Sequence, residues 1–120
     1  MLAARYGRGP VPLKEICRIR DLARDYLTKI FASLGRAGIV RAVRGKGGGF
    51  ILARDPKRIT VLEVIEAVDG PLAVNLCQHE PPLCEEVGCP LRPVWQDLQE
   101  SIRSKLSAVT LDLVAWEPSP

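Results

Sequence analysis

Four glycines and a lysine, in the order GKGGG at positions 45–49, separate two short apolar segments. These segments, IVRAVR (39–44) and FILAR (50–54), favour β-strands because β-branched and other apolar residues dominate them. Glycine adopts positive φ angles without steric cost and lets the backbone approach a ligand closely. The pattern therefore predicts an antiparallel hairpin with a loose tip, made positive by Arg44 and Lys46.

Two helical segments precede this hairpin. Residues 13–19 place Leu13, Ile16 and Cys17 on one face, where Cys17 is expected to be a core residue. Residues 23–37 form the stronger segment, and its apolar residues recur at helical spacing: Leu27, Ile30, Phe31 and Leu34. A helix, a turn, a longer helix and a hairpin follow one another in a winged helix-turn-helix, whose second helix enters the major groove. Residues 1–7 are typical of the last turns of a helix, so we expect that the recorded start lies inside an element or that the chain is naturally short there.

The second half of the chain predicts two further helices. Thr60 and Glu63 form a capping box, and this helix is expected to end at Gly70-Pro71. A last helix is predicted from Pro90 to about residue 115, with a heptad-like stripe of apolar residues: Leu91, Trp95, Leu98, Ile102, Leu106, Val109 and Leu113. Small domains commonly bury such a stripe against a second copy. We therefore place Leu98, Ile102, Leu106 and Val109 at a homodimer interface.

These elements define the predicted organisation, a mainly α-helical fold with a small β-hairpin wing and a long C-terminal dimerisation helix. The predicted parts are a winged helix-turn-helix domain, a connecting helix, a cysteine loop and the dimerisation helix, over residues 1–58, 59–76, 77–89 and 90–115. No apolar run reaches the roughly 18 residues of a membrane span. The segment MLAARYGRGPVP (1–12) lacks the long apolar run of a signal peptide, so a cytoplasmic protein without a membrane partner is expected.

Charge is divided between the two halves of the chain. Residues 1–58 hold 14 of the 17 Lys and Arg residues but 4 of the 14 Asp and Glu residues. Such a basic half suggests a polyanionic partner. A small α+β domain with a solvated basic face is the alternative, and charge alone would favour it. The element order and the glycine tip instead favour DNA binding, with Lys29 on the second helix and Arg44 and Lys46 on the wing as contacts. The GKGGG run lacks the spacing of a nucleotide-binding P-loop.

Three cysteines, Cys77, Cys84 and Cys89, lie close together in the acidic half. Thiolates bind soft metals and iron–sulfur clusters, and the helix start beside Cys89 stabilises thiolate charge. Three cysteines leave a four-ligand site one donor short. The candidates for the fourth ligand are His79, Glu80, Glu85 and Glu86, or a small molecule from outside the chain. The spacing matches none of the usual zinc patterns, so metal-free redox thiols and incidental loop cysteines remain alternatives.

Four segments together resemble the IscR/NsrR/RirA-type family of bacterial winged-helix transcriptional regulators, over about residues 9–115. They are GPVPLKEI (9–16), YLTKIFASLGRAGIVRAVRGKGGGFILARDP (26–56), ITVLEVIEAVDGPL (59–72) and CPLRPVW (89–95). The resemblance implies a homodimer with crossed long helices that binds a double-stranded DNA operator with two-fold symmetry. In many members an iron–sulfur cluster controls DNA binding.

The resemblance also assigns roles to individual positions. Cys77, Cys84 and Cys89 match the cluster cysteines, and Arg44 matches a wing arginine that enters the minor groove. The second predicted helix, residues 23–37, corresponds to the helix that reads DNA in this family, the reading helix. Its exposed face in the family corresponds here to Arg24, Asp25, Thr28 and Lys29.

Three departures from the family pattern leave the cluster type, [2Fe–2S] or [4Fe–4S], and the operator sequence open. Family members begin earlier, with a helix that can donate the fourth ligand from the partner subunit in some of them. The position of a ligand histidine is Arg92 here. The usual Ser or Thr near the start of the reading helix is replaced by Ala23-Arg24-Asp25.

The sequence is therefore interpreted as a dimeric repressor whose DNA binding depends on an iron–sulfur cluster or on the thiol state of its cysteines. We expect protein handled in air to lose a cluster. One alternative is a cluster-free DNA-binding regulator that senses thiol redox or a partner. Another is a small electron-transfer or metal-carrier protein. An enzyme is not expected, because no acid/base pair or nucleophile–base pair is evident.

Overall fold

The computed structural model describes residues 1–20, 23–75, 78–79, 83 and 87–116, with the side chains of residues 19 and 20 excepted. A series of turns over residues 2–7 precedes the first helix. The helices and strands are α1 (Leu13–Arg20), α2 (Arg24–Arg36), β1 (Val40–Val43), β2 (Gly49–Leu52), α3 (Val61–Asp69) and α4 (Arg92–Ser107). Short 3-10 turns lie between β2 and α3, at Pro56–Arg58, and after α4, at Leu111–Leu113. This is the mainly helical fold with a hairpin wing that the sequence predicts.

The hairpin is antiparallel, as predicted, and Val40 pairs with Leu52 while Val43 pairs with Gly49. A third segment extends it, because Val11 and Phe50 exchange two backbone hydrogen bonds of 2.9 Å each. Val11 is 1% exposed, although its segment is predicted from sequence only as a break between Gly9-Pro10 and Pro12. The wing is thereby fastened to the chain that leads into α1.

The core lies where α2 packs against the hairpin and α3. The buried side chains that pack together there are Leu27, Phe31, Leu34, Ile39, Val40, Leu52 and Ile59. The rings of Phe31 and Phe50 are 4.5 Å apart between centroids and tilted by 32°. Since the buried residues of α2 all lie on one side, its opposite side is left to solvent.

The capping box at the start of α3 is confirmed. Thr60 Oγ1 accepts a hydrogen bond from the Glu63 backbone N–H at 3.1 Å, and Glu63 Oε1 accepts one from the Thr60 N–H at 3.3 Å. The other carboxylate oxygen of Glu63 pairs with Arg54 Nη2 at 2.7 Å. The Arg54 guanidinium, with a further contribution from the Thr60 N–H, lowers the pKa of Glu63. Glu63 therefore joins the hairpin to the first turn of α3.

Thr60→Ala should lower the free energy of unfolding by about 1 kcal/mol, because one N–H at the helix start loses its acceptor. The urea midpoint measures this, and Thr60→Ser, which keeps the hydroxyl, serves as the control. Equal midpoints for the alanine and serine variants would contradict the assignment.

The last helix is shorter than predicted. It ends at Ser107 rather than near residue 115, so Val109 and Leu113 do not lie on α4. The chain instead returns to the start of α3. There the Val61 N–H donates to the Val109 carbonyl and the Leu111 N–H donates to the Ile59 carbonyl, both at 2.9 Å. These backbone bonds, and the packing of Leu111 against the core, replace further helical turns. Among the described residues, no helix is long and apolar enough to cross a lipid bilayer.

Candidate nucleic-acid interface and cysteine site

The solvent-facing side of α2 carries the residues expected to read DNA. Arg24, Asp25, Thr28 and Lys29 are all exposed. They are held outward because Leu27, Phe31 and Leu34 are buried on the opposite side. The Thr28 hydroxyl donates to the Arg24 carbonyl at 2.8 Å. Its proton is therefore engaged, and toward DNA its oxygen can act only as a hydrogen-bond acceptor.

The tip of the wing is exposed and basic, as predicted, with Arg44 and Lys46 both open to solvent. Gly45 and Gly47 have φ angles of 98° and 78°, which favour glycine. The Gly48 N–H donates to the Gly45 carbonyl at 3.0 Å and closes the turn. A Cβ atom on Gly48 would lie 2.2 Å from the Val43 carbonyl oxygen, so the closed tip requires glycine there.

Arg41 is a further exposed cation near this surface that sequence reasoning did not single out. It follows buried Val40 on β1 and therefore points to the outer face of the hairpin. The strict alternation of side chains along a strand was the available signal. Arg36, at the last turn of α2, is also exposed and donates to Ser33 Oγ at 3.2 Å.

Among the predicted ligand candidates, the structure describes Cys89 and His79. Cys89 is a half-buried free thiol, and its carbonyl accepts from the Arg92 N–H at 3.1 Å at the start of α4. His79 is half-buried. The other candidates, Cys77, Cys84, Glu80, Glu85 and Glu86, lie outside the described residues. Within the ranges that the structure describes, no three His, Cys, Asp or Glu side chains form a metal site. The donor set of the full loop, three thiols and an imidazole, is chemically suited to an iron–sulfur cluster.

The segment that enters the cysteine loop is attached to two helices. The Leu72 N–H donates to Glu66 Oε2 on α3 at 2.8 Å, and the same oxygen accepts from Arg103 Nη1 on α4 at 2.8 Å. The Val74 N–H donates to Gln99 Oε1 on α4 at 3.0 Å. The Leu72 N–H, and secondarily Arg103, lower the pKa of Glu66, so this carboxylate is charged at neutral pH.

The apolar surface of α4 is incompletely covered by its own chain. No residue of α4, which is described throughout, is buried. Trp95, Ile102 and Leu106 are half-buried, whereas Leu91, Val94 and Leu98 are 57%, 59% and 44% exposed. Sequence reasoning included Leu91 and Leu98 in its stripe but missed Val94, which lies outside the heptad positions.

Comparison with known proteins decides the family. The model of the Rrf2 family, described as an iron-dependent transcriptional regulator, matches residues 1–116. The chain belongs to the Rrf2 family. The transcriptional regulator IscR of Xenorhabdus nematophila is 39% identical over 111 residues, which cover 92% of this chain and 68% of that protein.

Solved structures of Rrf2-type regulators share the fold. CymR, described as the global cysteine regulator of B. subtilis, superposes with a TM-score of 0.79 at 29% identity, over 98% of this chain and 87% of that one. IscR of T. potens has a TM-score of 0.75 at 35% identity, over 94% and 74%.

These likenesses confirm the resemblance seen in the sequence and the winged-helix fold. The chain is an Rrf2-family transcriptional regulator and not an enzyme. Rrf2 regulators bind DNA, which agrees with the exposed basic surface of α2 and the wing.

Proposed function

We propose that this Rrf2-family chain represses transcription as a homodimer bound to a two-fold-symmetric DNA operator, under the control of the cysteines at positions 77, 84 and 89. The observation that supports this most is the placement of the polar side of α2 and the basic tip of the wing on the surface. A recognition helix can enter a major groove while wing cations reach the adjacent phosphates or minor groove. A dimer bound over a promoter excludes polymerase, so loss of the protein should raise expression of an operator-bearing reporter.

The shape of the chain supports dimerisation. Its radius of gyration is 17.3 Å, whereas a compact domain of this length has roughly 14 Å. The exposed apolar side chains of α4 would be covered by the same helix of a second subunit. Leu98, Ile102 and Leu106 on α4, and Val109 just beyond it, are the proposed contacts, and we add Val94 and Leu91.

Alanine at Arg44 should weaken operator binding by roughly 1–3 kcal/mol if the side chain reads a groove. Lys57→Ala removes an equal charge beyond the base of the hairpin, away from the tip, and should have a smaller effect. Fluorescence anisotropy on a duplex enriched by the wild type from a random-sequence pool measures both. The affinity of the wild type should also fall steeply with salt, because phosphate contacts release counterions. Unchanged affinity in Arg44→Ala would remove this residue from the interface.

The proposed cofactor of the cysteine loop is an iron–sulfur cluster. Cys77, Cys84 and Cys89 would supply three thiolates, and His79 is the proposed fourth ligand. Such a cluster would hold the loop before α4 by coordination bonds and would add charge to it. Loss of the cluster would remove both.

Anaerobic purification with iron and sulfide analysis tests the cluster. Wild-type protein should be coloured, and Cys89→Ala should lose most of the visible absorbance together with the iron. Cys17→Ala, a change at a half-buried thiol packed beside the core, should keep both. Colourless wild-type protein from iron-replete anaerobic cells would contradict the cluster.

A cluster-free thiol switch is the second candidate. It is favoured because CymR of Staphylococcus aureus, which superposes with a TM-score of 0.78 at 25% identity, is described in an oxidized form. In that case metal-free protein should change its DNA affinity when its thiols are oxidised, and a reductant should reverse the change. An electron-transfer protein would show no DNA affinity at all.

A further inference from the structure

The segment between α3 and the cysteine loop is held by side chains that have no place in DNA contact or in ligation. Glu66, Gln99 and Arg103, with the backbone N–H groups of Leu72 and Val74, form a group that we term the latch. Gln99 and Arg103 are four residues apart on α4 and therefore lie on the same side of it. The latch thus joins three parts of the chain, namely α3, α4 and residues 72–74.

The backbone geometry explains why the segment returns to its own helix. Gly70 ends α3 with a φ angle of 83°, a conformation that favours glycine, and its N–H donates to the Glu66 carbonyl at 2.9 Å. This turn brings the Leu72 N–H to the carboxylate of Glu66. Glu66 has 25% of its side chain exposed, so its two hydrogen bonds are partly shielded from water.

The latch is close to the cysteines in sequence and close to the reading helix through packing. Cys77 follows Val74 by three residues. On the other side, Val64, Ala67 and Val68 of α3 pack against the core that includes Phe31 and Leu34 of α2. A displacement of residues 72–74 therefore acts on α3 and α4 directly and on α2 through one layer of side chains.

We infer that Glu66, Gln99 and Arg103 are positioning residues that transmit the state of the cysteines to the reading helix. This inference rests on the proposed thiol or cluster control. With the latch closed, the entrance of the loop, α3 and α4 move together. With the latch broken, the loop changes its state without moving the helices, and DNA affinity no longer depends on the cysteines.

Gln99→Met tests the latch, since it keeps the length of the side chain and removes the acceptor for the Val74 N–H. Gln96→Met is the matched control on the exposed side of the same helix. Hydrogen exchange at Val74 should become about threefold to tenfold faster in Gln99→Met, as expected for the loss of one hydrogen bond, and should not change in the control. Unchanged exchange at Val74 would overturn the latch.

A second measurement separates transmission from local structure. The dissociation constant for the enriched duplex is compared between reduced, metal-free protein and protein treated anaerobically with iron and sulfide, and then between reduced and diamide-oxidised protein. In the wild type, the ratio of the two dissociation constants should differ from one in at least one comparison. In Gln99→Met and in Arg103→Met, the same ratio should be close to one. Faster exchange with an unchanged ratio would overturn the transmission. A wild-type ratio of one in both comparisons would instead overturn the thiol control itself and with it the transmission, while the exchange result would still decide whether the latch holds the segment.

Discussion

Replacing both Val94 and Leu98 with glutamate should convert the protein from dimers to monomers. The two side chains are 59% and 44% exposed on one chain, and each would be buried across a two-fold interface. Burial of one such side chain contributes roughly 1.5–3 kcal/mol, and each occurs twice in a dimer. The added carboxylates would also have to leave water without partners. We therefore expect the dissociation constant of the dimer to rise by at least about a thousandfold.

Sedimentation at micromolar concentration measures this effect, and DNA binding should weaken with it because one subunit contacts only half of the operator. Gln96→Glu with Ser104→Glu is the matched control, since it places two charges on the exposed polar side of α4. That control should remain a dimer. A wild-type protein that sediments as a monomer, or a Val94/Leu98 variant that stays dimeric, would exclude this face as the interface.

Alanine at Gly49 should strongly destabilise the wing. A Cβ atom there would lie 2.2 Å from the carbonyl oxygen of Val11 and 2.7 Å from the nitrogen of Pro12, both of which are backbone atoms. The backbone must therefore shift and break the pairing of Val11 with Phe50. Val11 is almost fully buried, so the shift also opens the core. We expect a loss on the order of 3 kcal/mol of unfolding free energy, together with loss of operator binding.

Gly35→Ala is the control for this substitution. Gly35 lies within α2 and has open space where a Cβ atom would be placed. Alanine there should leave the stability unchanged or raise it by about 0.5–1 kcal/mol. Urea denaturation compares the two variants, and similar midpoints for both would show that Gly49 is not required sterically.

The parts of the fold that sequence predicts are those governed by local contacts. The glycine tip, the capping box of Thr60 and Glu63 and the outward side of α2 each depend on residues close together in the chain. The Val11–Phe50 pair and the end of α4 at Ser107 depend on partners far away, at β2 and at the start of α3. Periodicity alone could not indicate them.

The candidate sites show the same division. The helical spacing of α2 and the glycine tip of the hairpin were enough to predict Lys29, Arg44 and Lys46 at the surface. The alternation of side chains along β1 could also have indicated Arg41, which sequence reasoning missed. The apolar surface of α4 divides in the structure into a half-buried side with Ile102 and an exposed side with Leu98 and with Val94, which the predicted stripe did not include. That division is set by where α3 lies against α4, so it required the tertiary structure. The anchoring of residues 72–74 was likewise invisible in the sequence, because its bonds run to backbone N–H groups.

The backbone pairing of residues 59–61 with residues 109–111 gives α4 a fixed end. The helix has 16 residues and is therefore about 24 Å long. With the latch closed, Arg103 also joins the middle of α4 to Glu66 of α3. A push at the Cys89 end would therefore swing α3 and α4 together about residues 109–111 rather than slide α4 along its axis. A swing of about 5° would carry the Cys89 end sideways by about 2 Å over that length. In a dimer built on α4, the same fixed pivot in each subunit would turn that small movement into a change in the separation of the two reading helices, which must match the pitch of DNA.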